Sequence, residues 1–447
     1  MHRRTLWSRG SGGVIVILLA IVLCAGIGVA ATNVARSSAA RDRARERLVE
    51  AQLLTQRQNA ERAARAAARA ALVKSVTFSP PAGAADVAPN ARVVVSTGAG
   101  RLTAVRVTGP DGHSVKGAFV ASAHIWQSQS LLAPSSSYRI LATAGGRSGL
   151  TVNPSSTFRT LTPAGMVSAT LFPADGMTVG VAQPIVIRFD HFIDSDAARA
   201  RVLAHFTVTE SRPVPGGWHW FSARELHFRP QQFWPAGEQV TVAADLDGWD
   251  AGSLLWGEGQ QQVHFTIGSA HVAVANLATH QMTVSDGGHL IAVYPFSGGR
   301  PTDPTMNGTH IVLDRESVVR MVSSTNGVPV NSPDGYDELV YQDVHISDSG
   351  EYVHAAPWSV GSQGRTNVSH GCINLSPANA LAFFAMSRVG DVVEVVGGPR
   401  PPAPGDHGVM DWETSWNQWT GATVHPVRPP AKPPTVKRAT GKRSTAR

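Results

Sequence analysis

The sequence predicts a mainly β protein: two related β-sandwich modules, then a third β-rich domain with one or a few short helices, all preceded by a membrane helix and a helical stalk. Three observations predict it. A Pro/Gly turn leading into a β-branched strand occurs twice at a fixed offset, short alternating strands follow residue 271, and an apolar run plus a helix-forming segment fill the first 75 residues. At 447 residues the chain exceeds one ordinary core. Only 16% of residues are charged, with 43 Gly and 29 Pro, which suits turn-rich β modules. The net charge of +7 is concentrated in two tails and accompanies no base-reading motif, so it points to an anionic surface and excludes a nucleic-acid reader.

Arg3, Arg4 and Arg9 precede an unbroken apolar run over residues 14–31. Its length suits a spanning helix better than a signal-peptide core, and the arginines place the N-terminus inside, giving a signal anchor over 1–35. Gly28-Val29-Ala30 also forms a small-residue cleavage site, so a cleaved signal is the alternative. Lipidation at Cys24 is disfavoured because Leu23 sits where such signals place a small residue. From Ala39 to Val73 the chain is rich in Ala, Arg, Glu, Gln and Leu and lacks Gly and Pro, which predicts one long helix within a 36–75 stalk. Fully helical, that segment reaches about 50 Å. Its apolar positions, Leu48, Val49, Leu53, Leu54 and Leu72, are too few for a coiled coil, so a solvated stalk is expected.

Phe78-Ser79-Pro80-Pro81-Ala82-Gly83 and the strand at 93–95 are echoed by Leu171-Phe172-Pro173-Ala174-Asp175-Gly176 and the strand at 185–187. The offset from Pro80 to Pro173 is 93 residues, one immunoglobulin-sized sandwich, so modules are expected at 76–163 and 164–269. Trp218, Trp220, Phe221, Phe228, Phe233 and Trp234 of the second are expected as packing rather than as a sugar-binding row. In the third domain, 270–399, alternating residues from Val272 through Tyr294 around Asp286-Gly287-Gly288 predict a hairpin meander. Ser376-Pro377 reads as N-cap and first position of a helix running to about Arg388 and closed by Gly390, and 392–396 reads as the last strand. The amphipathic stretch Asp411 to Trp419, within a Trp-rich segment at 400–425, is expected to fold back on this third domain, and the Pro- and Lys/Arg-rich 426–447 to be a disordered tail.

Cys372 carries the chemistry. The only other cysteine, Cys24, lies inside the apolar run, so a disulfide between them is excluded and Cys372 is a free thiol in an exported domain, where such thiols are oxidised unless chemistry requires them. His370 lies two residues before it and His354 18 residues upstream, so either imidazole is a possible base for a thiolate nucleophile. Gly371 lets the backbone turn so that amides converge on a bound carbonyl oxygen, and Asn374 can tie the loop down. A zinc site from His354, His370 and Cys372 lacks a fourth ligand, so no metal is expected; no nucleotide or phosphate motif occurs either, so no cofactor is expected.

His354, a short spacer, and then Ser369-His370-Gly371-Cys372-Ile373-Asn374 together resemble the signature of the L,D-transpeptidases with a YkuD-type catalytic domain, and most closely the actinobacterial members with immunoglobulin-like domains ahead of it. The resemblance covers about residues 76–425. It implies a two-step acyl transfer in peptidoglycan, in which Cys372 attacks the third residue of a tetrapeptide stem, D-alanine leaves, and an amine of a second stem resolves the thioester into a 3,3 cross-link. It further implies His354 as base, oriented by the Ala355 carbonyl; His370 as a residue shaping the loop, with reversed roles as the alternative; Gly371 and Cys372 amides as oxyanion donors supported by Asn374; and Ser369 bonded within the loop. Tyr336, Met321 and Trp358 match the wall and flap on the substrate side. Carbapenem β-lactams are the implied inhibitors. The implied location is a single-pass anchor in the cell membrane with the catalytic domain outside. An L,D-carboxypeptidase or a protein-to-wall ligase shares every one of these residues, and a wall-binding scaffold with a vestigial enzyme is a rival of another class.

Overall fold

The computed structural model describes residues 23–120 and 122–421. Residues 14–22 of the expected membrane helix and the 426–447 tail therefore lie outside the described residues. Among those described, no helix is long and apolar enough to cross a membrane. The chain packs into two compact units, one taking the chain up to Ala84 with Arg92–Ser130 and Tyr138–Phe158, the other taking Ala85–Ala91, Leu131–Ser137 and everything from Arg159.

In the first unit a helix runs over Leu23–Ser75, beginning well ahead of the expected stalk boundary at 36. Leu48, Val49, Leu53 and Leu54 are all at least half exposed, so this helix has no continuous packed face. Among its described side chains it docks at its end, where Leu72 is buried and approaches Gly100 and Gly146. Gly100 has φ +70° and a Cβ there would sit 2.2 Å from the Gly145 carbonyl, so only glycine fits. Strands Val76–Ser79, Val94–Thr97, Ile125–Ser128 and Gly117–Val120 form an antiparallel sheet, and Arg101–Thr108 pairs with Ser137–Gly145. Alternate residues Tyr138, Ile140, Ala142 and Ala144 turn inward, as a strand with one wet face requires.

The second unit begins with another sandwich. One sheet has the order Ala169–Phe172, Ile185–Phe189, Glu225–Pro230, Gly216–Ser222, and the other Thr178–Val179, Gln260–Ile267, Gln239–Asp245, Phe206–Glu210. Between them lie Phe189, Phe228, Trp234, Trp249 and Phe265, with Trp218 and Trp220 half-buried against the cluster, so most of the aromatics serve as packing; Phe233 is exposed. Buried indoles need partners, and Trp234 and Trp249 donate to the Gln183 and Ala198 carbonyls. This core continues without a break into the next domain through Ile311 and Val392. At the joint, Gly180 N–H donates to Val389 O, and a Cβ on Gly180 would lie 2.1 Å from Asp391 N.

The strands of the third domain are β1 (His271–Asn276), β2 (Gln281–Asp286), β3 (His289–Pro295), β4 (Gly308–Ile311), β5 (Asp314–Val322), β6 (Asp337–Ser347), β7 (Glu351–Ala355), β8 (Ile373–Leu375) and β9 (Val392–Val396). One sheet has the order β3-β2-β1-β9-β4, the other β5-β6-β7-β8, with one apolar core common to both. The expected meander is β1–β2–β3, while β9 returns to lie parallel to β1. The helix after β8 is capped by Ser376 as expected but covers Pro377–Met386, shorter than the run to Arg388. Ser387 ends it: its hydroxyl and amide both bond the Phe383 carbonyl, closing the last turn before Gly390 is reached.

The Trp-rich segment corrects an expectation, because its indoles cover the second sandwich rather than the third domain. Trp412 and Trp419 donate to the carbonyls of Ala182 and Gly217, and Arg229 of the sandwich donates to Thr414 O with its guanidinium 4.6–5.3 Å from the ring centroids of Trp412, Trp416 and Trp419. Beside them His227 is buried between Asp411 and Glu225 at 2.7 and 2.9 Å; burial lowers its pKa but these carboxylates outweigh it and lift the imidazole to about 9. The segment is also tied to the third domain: Asn307 N–H donates to Arg400 O, Ile311 N–H donates to Gly408 O, the Arg400 guanidinium bonds Glu351, Glu413 accepts from Thr309 N–H, and Asp406 accepts from the 347–349 turn.

Candidate active site

The loop bearing Cys372 is zipped to the chain after β3. Ser297 and Asn374 exchange backbone bonds of 3.1 and 2.9 Å, Ser369 N–H donates to Gly298 O, and Arg300 N–H donates to Ser369 O. Within the loop Ser369 Oγ donates to Cys372 O at 2.6 Å and accepts from Gly371 N–H at 3.1 Å, as expected for a loop-internal serine. Gly371 takes φ +131°, a conformation other residues rarely adopt.

His354 reaches the cysteine through strand pairing. In the parallel β7–β8 ladder His354 lies opposite Asn374, which brings it beside the bend that carries Cys372, and both side chains line one cavity. Nδ1 of His354 lies 3.1 Å from Ala355 O, which only accepts, so Nδ1 carries the hydrogen and Nε2 presents a lone pair. Burial drives the imidazole down to about 4, opposed by that carbonyl bond. Burial likewise pushes the Cys372 thiol up to about 12, opposed by a Tyr352 backbone bond and reinforced by Glu351 and Asp343, although the residue as a whole is only half-buried. At neutral pH the resting pair is therefore thiol and neutral imidazole, not an ion pair. His370 is exposed, and its ring stacks obliquely on Tyr336 with centroids 5.3 Å apart.

Cys372, His354, His370, Asn374, Ser369, Tyr336, Met321 and Trp358 all line one cavity of about 310 Å³, so the structure gathers residues spread over fifty positions. Ala355 stands behind it, reaching the site through its carbonyl. Two expectations change. The Gly371 amide points at Ser369 Oγ rather than into the cavity, because the tight turn brings that hydroxyl within reach first. Asn374 does not bond the cysteine loop through its side chain; Nδ2 donates to Ser359 Oγ at 3.2 Å, tying β8 to the turn that carries Trp358, and Oδ1 is buried without a hydrogen bond.

Sequence reasoning missed four acidic neighbours, Glu351, Asp343, Asp334 and Glu338. Glu351, buried behind Gly371, is raised to about 7 by burial against the Met306 amide and Arg400, which both bond Oε1. Asp343 is raised to about 7 by burial and by Glu316 and Asp314. Asp334 and the basic Arg300 add a charged rim to the cavity. Among the described residues no cluster of three or more His, Cys, Asp or Glu side chains is arranged to hold a metal ion.

Comparison with known proteins agrees with this geometry. Residues 270–395 match the family "L,D-transpeptidase catalytic domain", and residues 84–250 match "Bacterial Ig domain". L,D-transpeptidase 2 of Mycobacterium tuberculosis (strain CDC 1551 / Oshkosh) is 40% identical over 348 residues, covering 78% of this chain and 84% of the relative. L,D-transpeptidase 5 of Mycobacterium tuberculosis (strain ATCC 25618 / H37Rv) is 35% identical, covering 80% of this chain and 78% of the relative. A solved L,D-transpeptidase structure in complex with imipenem aligns at 36% identity with a TM-score of 0.46, covering 52% of this chain and 99% of that one. With a relative 40% identical over most of both lengths, and with the motif gathered in one cavity, the chain belongs to the L,D-transpeptidase family.

Proposed function

We propose that this protein forms 3,3 cross-links in peptidoglycan by acyl transfer through Cys372, with His354 as its base. The observation that carries the reading is the orientation of His354: an imidazole fixed with Nδ1–H on Ala355 O and a free Nε2 lone pair, lining the same cavity as Cys372. In the first step the thiol proton passes to Nε2 as sulfur attacks the carbonyl of the third stem residue. The C–N bond to D-alanine then breaks, and the imidazolium returns its proton to the departing amine, leaving a thioester. In the second step the amine of another stem gives a proton to Nε2 and attacks the thioester; sulfur leaves and is reprotonated. With Gly371 N–H engaged by Ser369 Oγ, the Cys372 amide is assigned the oxyanion, a donor type whose loss typically costs 10²–10³ in rate. His370 shapes the rim with Tyr336, and Met321 and Trp358 wall the donor stem.

Carbapenems are assigned as inhibitors because a strained β-lactam carbonyl meets the same nucleophile. Incubating the protein with a disaccharide tetrapeptide and weighing the products tests the reading: a dimer lighter by one D-alanine supports it, whereas a tripeptide alone assigns an L,D-carboxypeptidase. The apolar run and preceding arginines support a single-pass membrane anchor with the catalytic domain outside, and retention of the intact N-terminus in a salt-washed membrane fraction is the expected result.

A further inference from the structure

The cavity around Cys372 has one Arg or Lys side chain among its lining residues, Arg300. Its position is not accidental packing, since its own N–H donates to Ser369 O at 2.9 Å and so joins it to the cysteine loop. The guanidinium holds two carboxylates. Nε meets Asp303 Oδ2 at 2.6 Å, and Nη2 meets Asp334 Oδ1 at 3.0 Å.

The two partners differ in kind. Asp303 sits three residues away in the same turn, its amide bonded to Arg300 O and its Oδ2 also held by Thr302 Oγ1, so it aims the guanidinium without leaving. Asp334 comes from the segment between β5 and β6 that carries Tyr336, and its side chain is 59% exposed. An ion pair this open to water contributes little and exchanges readily for another carboxylate. The reaction proposed above supplies one, because a stem cleaved at its last bond ends in the free carboxylate of D-alanine. Asp334 and Glu338 on the same wall would repel that carboxylate unless a cation offset them.

We propose that Arg300 binds the terminal carboxylate of the donor stem, which takes the place of Asp334 on Nη2 while Asp303 keeps the guanidinium aimed. The inference rests on the donor reading above and extends it in two ways. Arg300 becomes the residue that selects a stem ending at the fourth position, and donor capture becomes coupled to release of the Asp334 carboxylate from Nη2. Guanidinium suits the task because its planar fork accepts a carboxylate on two parallel N–H groups.

The test compares two donors, a tetrapeptide ending in D-alanine and the same peptide ending in D-alaninamide, by single-turnover acylation of Cys372 followed by intact mass. Wild-type protein is expected to acylate with the acid about tenfold faster than with the amide at subsaturating donor. Arg300→Gln should remove that preference by slowing the acid about tenfold and leaving the amide within twofold. Asp334→Asn, which deletes the competitor and not the receptor, should lower KM for the acid about threefold and leave the amide unchanged. Equal slowing of both donors by Arg300→Gln, or a preference for the acid that survives it, overturns the proposal. Should Arg300→Gln fail to fold, an unchanged acid KM in Asp334→Asn overturns it instead. Failure of both donors to acylate the wild type removes the donor reading itself and this inference with it, an outcome distinct from the others.

Discussion

The two walls of the cavity are built to opposite specifications. On one side His354, Ser369 and Asn374 are at most 7% exposed and Ile373 and Leu375 are fully buried, with the loop zipped by backbone bonds to residues 297–300. On the other, the β5–β6 hairpin turns Met321 and Val340 toward the cavity, while Val318, Leu339 and Tyr341 lie on its outer face 44–56% exposed. The Arg300–Asp334 pair and the Tyr336–His370 ring contact tie its tip segment to the cysteine side. The residues to which the proposed proton path is assigned sit in the packed wall. The hairpin, with half of its side chains open to water, is of the kind drawn from the low-stability end of a fold.

The difference predicts a steep order of effects. Cys372→Ala should abolish acyl-enzyme formation with a carbapenem, read by intact mass, while the protein stays folded, since a small thiol leaves little space behind. Cys372→Ser should be close to dead, as His354 activates a far less acidic hydroxyl poorly. Next, His354→Ala should slow single-turnover acylation by about 10²–10⁴ and His370→Ala by about tenfold or less; the reverse ranking at equal thermal stability would exchange their roles.

The packed wall should also be legible in pH titrations of stability. An unfolded chain protonates His354 at its ordinary 6.5, whereas the fold holds it to about 4, so stability contributed by the neutral form is lost as pH falls through that window. The thiol works at the other end: it ionises at 9.0 when unfolded and about 12 when folded, so stability is lost as pH rises between them. Thermal melts of Cys372→Ala should lack the alkaline part of that loss. For the open wall, Trp358→Ala, at a side chain 57% exposed, should raise KM for the donor several-fold and shift the melting temperature little. Smallest of all, Leu339→Ser on the outer face of the hairpin should change stability by under about 0.5 kcal/mol and leave acylation unchanged. A large loss there would mean the hairpin is not the loosely held wall described.

What the sequence disclosed follows the range of the interactions involved. Ser376 as N-cap, the β1–β3 meander and the 392–396 strand are local patterns, and each was readable from a few neighbours. The site residues were readable because the His354 to Asn374 motif is compact in sequence. The parallel β1–β9 pairing was not, since nothing in either strand names its partner across more than a hundred residues. The indoles of the C-terminal segment announced a buried face without saying against what, and Arg229, the group that decides it, is an ordinary strand residue by pattern. The buried carboxyls Glu351 and Asp343 were equally silent, because an acidic residue in a strand reads as solvated.

That C-terminal cover has a consequence for when the molecule becomes itself. Arg229 is made early, but the Thr414 carbonyl that accepts from it lies 185 residues further on, and the Trp419 indole that closes on Gly217 lies 202 residues on. Until residue 419 is made, that guanidinium lacks its carbonyl partner and the indoles that cover it, so the second sandwich cannot take its final form before then. Contacts of such long range are formed slowly. The second sandwich thus waits on a segment made long after its own strands.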